Sequence, residues 1–253
     1  MTDRDFTELR QQARARPADP RPRASLAVRL PPGPDADASR DQATALARQG
    51  LRLGAVDAAH EAATMLFEHF GGVALGVLLA EANLHAGDVA AARRLLSGLV
   101  AQHTEAVPAR VLLAALELTA GETDAALATC EPIADSGPDG TRIYTQTLLA
   151  AGREADAREF AMDAVDRHPP DAELFMLLGT ACLALGRHDE AVEAFSEAIR
   201  LAPGRPDAYY NLAVAFAKSG AIAAALGVID AGLQRRPGDG LLDSLREQLV
   251  KPA

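Results

Sequence analysis

The feature that most narrows what this chain can fold into is that it repeats itself at a spacing of 34 residues. The segment LGTACLALGRHDEAVEAFSEAIRLAPG from Leu178, moved on by 34 positions, falls on LAVAFAKSGAIAAALGVIDAGLQRRPG from Leu212. Leu178 then meets Leu212, Gly179 meets Ala213, Gly186 meets Gly220, Ala191 meets Ala225 and Pro203 meets Pro237. The same step backwards brings Gly152, Ala157, Ala164 and Pro169 into register. Upstream, GDVAAARRLLSGL from Gly87 and GETDAALATCEPI from Gly121 are again 34 apart, while Gly54 to Gly87 is 33 and Gly121 to Gly152 only 31. That short interval predicts a unit that has lost about one helical turn between Cys130 and Pro138. A fixed period of this length marks a stack of supersecondary units, each burying its apolar face only against its neighbours.

Within a unit the residues spell a helical hairpin. Phe175, Leu178 and Cys182 have the spacing of one helix face. A glycine then ends the first helix, because it accepts the left-handed backbone without a Cβ penalty. Asp88, Glu122 and Asp189 follow, where an acidic group meets the positive end of the second helix. Small residues pair where the two helices cross (Gly179 with Ala191, Ala213 with Ala225), and Pro169, Pro203 or Pro237 blocks further helix. Composition agrees: 49% of residues are hydrophobic but only 4% aromatic, and Ala and Leu, which dominate, favour helices over sheets. The expected fold is all-α, a right-handed α-solenoid of stacked antiparallel helix hairpins with terminal capping helices.

Six units are expected over residues 40–239, starting near residues 40, 73, 107, 138, 172 and 206. Residues 240–253 supply a C-terminal capping helix, LLDSLREQLV from Leu241. Residues 1–39 read as two short helices, 3–15 and 20–30, followed by a Pro-rich linker at 31–39.

The arrangement of small, large and turn residues resembles the tetratricopeptide repeat family, whose 34-residue motif runs W-x2-L-G-x2-Y, then A, F, A and P. Phe175, Leu178, Gly179, Ala191, Phe195, Ala198 and Pro203 match it, as do Tyr209, Leu212, Ala213, Phe216, Ala225 and Pro237. No unit carries the Trp, Gly232 replaces the usual Ala, and Cys130 sits where an aromatic is expected. The resemblance implies that the first helices line a groove that takes a partner peptide or an amphipathic helix. By slot, the groove is expected to present Arg48, Arg52, Val77, Glu81, Leu84, Val111 and Leu118. It continues with Arg142, Gln146, Met176, Thr180, Leu183, Tyr210, Val214 and Lys218. One subset of the family holds C-terminal carboxylates with Lys and Asn at fixed slots; Val111, Leu112 and Ala115, then Arg142, Ile143 and Gln146, stand there instead.

The same residues leave little for chemistry. A net charge of -10 repels phosphate backbones, so no nucleic-acid partner is expected. Cys130 and Cys182 lie outside any CxxC or Cys/His pattern and read as small core residues. His60-Glu61 lacks the second histidine of a metal helix, because residue 64 is Thr. Gly71-Gly72 has no GKT or GKS after it, so it reads as a turn. The basic stretch with Arg4, Arg10, Arg14, Arg16, Arg21 and Arg23 is interleaved with acids and reads as a solvated helix. No stretch approaches the roughly 20 apolar residues of a membrane span. The expectation is a bacterial, cytoplasmic, non-catalytic scaffold or adaptor with no catalytic, metal or cofactor site, binding a protein or peptide. A self-assembling homo-oligomer and the regulatory arm of a separate enzyme are the alternatives.

Overall fold

The computed structural model describes residues 3–30, 32–167 and 170–250, with backbone alone at residues 3–6. Among these it holds fifteen α-helices and one 3-10 turn. They run α1 (Asp3–Ala15), α2 (Arg21–Arg29), α3 (Pro34–Arg52), α4 (Val56–Phe70), α5 (Val73–His85), α6 (Val89–Gln102) and α7 (Val107–Thr119). There follow α8 (Thr123–Cys130), the turn Glu131–Ile133, α9 (Pro138–Ala150), α10 (Glu154–Arg167) and α11 (Ala172–Ala184). The last four are α12 (His188–Leu201), α13 (Pro206–Lys218), α14 (Ile222–Arg235) and α15 (Gly240–Val250). The chain forms two compact units that divide between Leu116 and Glu117, inside α7. Each unit is a stack of antiparallel helix hairpins.

The turn inside each hairpin is made the same way six times. Gly54, Gly87, Gly121, Gly152, Gly186 and Gly220 all have φ between 69° and 84°, where a side chain would be strained. The amide of the next residue then reaches back to a carbonyl five positions earlier, as in Arg187 N–H to Cys182 O at 2.8 Å and Ala221 N–H to Phe216 O at 2.9 Å. This closure satisfies a carbonyl that the helix end would otherwise leave orphaned. Asp88 caps α6 by accepting from the Ala91 amide at 2.8 Å, as its slot foretells. Glu122 holds the cap position of α8 but its side chain makes no capping bond to the helix, and Asp189 falls one residue inside α12, after Arg187 at the cap.

In the first unit, α2 packs on α3 and α4, and α1 on α2. Ala24 and Ala27 of α2 are buried with Ala43, Ala47, Ala59 and Leu66. The linker expected at 31–39 is therefore only partly one. Helix α3 already begins at Pro34, because proline's missing amide costs nothing at the first helical position. A second core joins Val77 and Ala80 of α5, Leu96 and Leu99 of α6, and Ala109 and Leu113 of α7.

In the second unit, the shortened repeat is α8, which has 8 residues where α10, α12 and α14 have 14 each. Pro132 stops it, since proline donates no amide to the helix and crowds the preceding turn. Close crossings need small residues. A Cβ on Gly179 would lie 2.6 Å from the Phe195 ring, and one on Gly232 would lie 2.7 Å from Leu242. Gly232 thus departs from the family's Ala because α15 presses in there. Leu242, fully buried, and Leu245 close the last core against α14 and α13, the covering that a terminal repeat needs. Of the prolines expected between units, Pro203 and Pro237 lie in turns, and Pro169 lies outside the described residues.

Candidate functional site: the row of first helices

The first helices of the second unit stand side by side, since α11 touches both α9 and α13 directly. Arg142, Met176 and Tyr210 are spaced by one 34-residue period, and so are Gln146, Thr180 and Val214. Gln146, Thr180 and Lys218 are exposed; Leu118, Arg142, Leu183, Tyr210 and Val214 are half-buried. Leu183 leans on the core around Phe195, while Tyr210 and Val214 lean on the core around Ile229. Arg142 is held between Asp139 and Asp171, with the second bond at 3.1 Å, and the Thr180 hydroxyl donates to Met176 O at 2.8 Å.

In the first unit, α3 touches α5. Arg48 and Arg52 are exposed, and Glu81, Leu84 and Val111 are half-buried. Two expected groove residues do not qualify. Val77 and Met176 are each only 6% exposed and belong to the cores beneath. Helices α5 and α11 are apolar on nearly every face, so slot alone could not separate side chains that pack sideways from those that face out.

The residues that could have carried chemistry have structural partners. The His60 imidazole shares a 2.8 Å hydrogen bond with the side-chain oxygen of Asn83, tying α4 to α5. Glu61 pairs with Arg21 at 3.3 Å, and His69 packs edge-on against Phe70. Cys130 and Cys182 are buried, and burial pushes both thiols up, away from the reactive thiolate. Among the described residues, no three His, Cys, Asp or Glu side chains gather as a metal would require, and no helix is long and apolar enough to cross a membrane.

Sequence reasoning missed the charged ties between repeats. Arg158 of α10 binds Glu190 of α12 at 2.6 Å, and Arg187 binds the other carboxylate oxygen at 2.8 Å. The Arg158 hydrogen bond, more than the surrounding charge, holds the Glu190 carboxyl below the usual glutamate range. Arg205 spans Glu173 and Asp207 in the same way one repeat later. The signal was present: Arg158 lies 32 residues from Glu190 and Arg205 32 from Glu173, about one period in each case.

Family models for the tetratricopeptide repeat match residues 83–145 and 183–249 in one form and 146–206 in another, so the matches run without a break from 83 to 249. The chain belongs to the tetratricopeptide repeat family. Protein FlbA of Caulobacter vibrioides is 34% identical to it over 100 residues. That stretch is 40% of this chain but only 17% of FlbA, so the chain spans a small part of this relative. Among solved structures, a tetratricopeptide repeat protein from Parabacteroides merdae aligns with a TM-score of 0.64 at 16% identity, covering 83% of this chain and 85% of its own. YrrB, a tetratricopeptide protein with an unusual peptide-binding site, aligns with a TM-score of 0.56 at 19% identity, covering 74% of this chain and 99% of its own. These likenesses are of fold. The matched residues take in every helix from α6 to α14.

Proposed function

We propose that this tetratricopeptide protein is a non-catalytic scaffold or adaptor that holds a peptide or helix of a partner protein against its first helices. The carrying observation is the face of α9, α11 and α13. There half-exposed Leu183, Tyr210 and Val214 stand among Gln146, Thr180, Arg142 and Lys218. Apolar anchors with hydrogen-bonding groups between them are what a docked helix or extended segment uses. The first unit, taken by itself, presents Arg48, Arg52, Glu81, Leu84 and Val111, a set of the same mixed character. The structural employment of His60, Glu190 and both cysteines supports a role without catalysis. The setting we favour is a bacterial cytoplasm, which keeps thiols such as Cys130 and Cys182 reduced.

The test is affinity capture from native lysate with the wild-type chain, Leu183→Glu and Tyr210→Glu, each checked for helicity by circular dichroism. The expected result is a partner recovered by the wild type and lost from both helical variants. Equal recovery by both variants would remove the first-helix face from consideration. Recovery of the chain itself as the captured species would turn the reading to self-assembly.

A further inference from the structure

On another face of the second unit, between the second helices α10 and α12, the surface opens into an apolar slot that the scaffold reading does not use. Phe175, Leu178 and Cys182 of α11 and Ala194 of α12 form its floor, with Met162 of α10 at one side and Glu193 of α12 at the other. The slot encloses about 470 Å³, enough for several apolar groups. Met162 is 40% exposed, as is Leu185 further along the same surface, so apolar area here lacks cover.

At the slot this unit differs from its neighbours. One period on, Tyr209, Leu212 and Phe216 take the places of Phe175, Leu178 and Cys182, and one period back Leu148 takes the place of Cys182. Where the next unit has a phenylalanine ring, packed against two cores, this unit has a thiol. The Cys182 thiol instead meets the Glu190 carboxylate at 3.8 Å, and the slot opens beside that contact, over Phe175 and Leu178.

Its rim is acidic. Arg158 and Arg187 share Glu190, and Glu197 is taken by Arg200. Glu159 and Glu193 form no ion pair among the described residues, whereas Asp163 lies near Arg167, whose Nε donates to its backbone carbonyl at 3.2 Å. Carboxylates outnumber guanidinium groups around the apolar floor, so the slot repels phosphate and acidic peptides and attracts cationic ones. Helices α10 and α12 flank the slot and are bridged by the Arg158–Glu190 pair, and the side-chain rows of a partner helix can pack against theirs.

We propose that this slot is a second docking surface, shaped for a basic amphipathic helix of a partner protein. One large apolar side chain of that helix enters beside Met162, over Phe175 and Leu178, and Lys or Arg a turn away meets Glu193 and Glu159. The proposal stands apart from the first-helix reading, because the residues that carry it lie on α10 and α12 and on the floor facing them. A partner could occupy either surface or both.

The test is to pan a display library of short helical peptides, unbiased in charge, against the full chain and to measure the affinity of those enriched. The expected winners are basic peptides with a central Leu, Phe or Met. Their affinity falls about tenfold or more in Cys182→Phe, which borrows the side chain of the next repeat, and in Glu193→Lys. Leu183→Glu leaves that affinity unchanged. Should Cys182→Phe melt below the wild type, Glu193→Lys decides alone, since Glu193 is exposed. No enrichment, enrichment of acidic or neutral peptides, or affinity indifferent to Glu193→Lys overturns the proposal. Peptides sensitive to Leu183→Glu alone overturn it too, while supporting the first-helix face.

Discussion

Replacing glycine by alanine inside a helix ordinarily stabilises it by about 0.5–1 kcal/mol, because glycine has more backbone freedom to lose. The packing of this chain reverses that sign at Gly179. A Cβ there would lie 2.6, 2.7 and 2.8 Å from three carbons of the Phe195 ring. Carbon atoms pack best near 3.5–4.0 Å, so the ring would have to retreat by about 1 Å. Phe195 is fully buried in one core with Ala191, Ala194 and Ala198, so its ring can retreat only by displacing packed neighbours. Overpacking of this kind costs about 1–3 kcal/mol, which outweighs the backbone gain and leaves a net loss near 1 kcal/mol. The control is Gly227, inside α14 of the same unit, where an added Cβ would meet nothing within 4 Å. Gly179→Ala is expected to lower the melting temperature by about 2–4 °C and Gly227→Ala to raise it slightly. Thermal and urea unfolding followed by circular dichroism read both, and hydrogen exchange in α11 and α12 localises the first. Repeats can open one at a time, which makes the local reading the stricter one. A Gly179→Ala variant as stable as the wild type would refute the close crossing.

Two further consequences concern the cap and the ties between repeats. Leu242→Ala removes a fully buried side chain from the last core and is expected to cost about 2–5 kcal/mol, with α14 losing exchange protection before α11. Because the folded Glu190 carboxyl titrates below its ordinary value near 4.5, its pair with Arg158 contributes stability above that value. The contribution is lost as pH falls through the lower, folded value. The stability gap between wild type and Glu190→Gln should therefore be present at neutral pH and close in acid. The gap is small and salt-sensitive, since the pair is partly exposed; a gap that widens in acid would contradict the assignment.

The hairpin register was readable because glycine at a left-handed turn has few substitutes, so Gly87, Gly121, Gly152, Gly186 and Gly220 announce each turn. The shortened unit was readable from the same glycines, since Gly121 and Gly152 are 31 residues apart and not 34; Pro132, which ends α8, shows itself as the cause only in the structure. The start of the first hairpin was not. Pro34 and Gly33 look like loop residues, yet both suit the position just before or just inside a helix N-terminus. Burial on the first helices was the other gap. Each packs on two or more neighbours, and sequences such as AELFMLLGTACLA give no polar face by which to tell Met176, buried, from Leu183, half-exposed. The alignment of units set a thiol, Cys182, opposite Phe216, but that the slot opens beside it over Phe175 and Leu178 needed the placement of α10 and α12.

The central claim is that the first helices hold the partner. Hydrogen exchange of the chain alone and with its captured partner, compared peptide by peptide, tests this most directly. The expected result is slower exchange in α11 and α13, with the effect gone for Leu183→Glu. Slowing confined to other helices, or none at all, would contradict it.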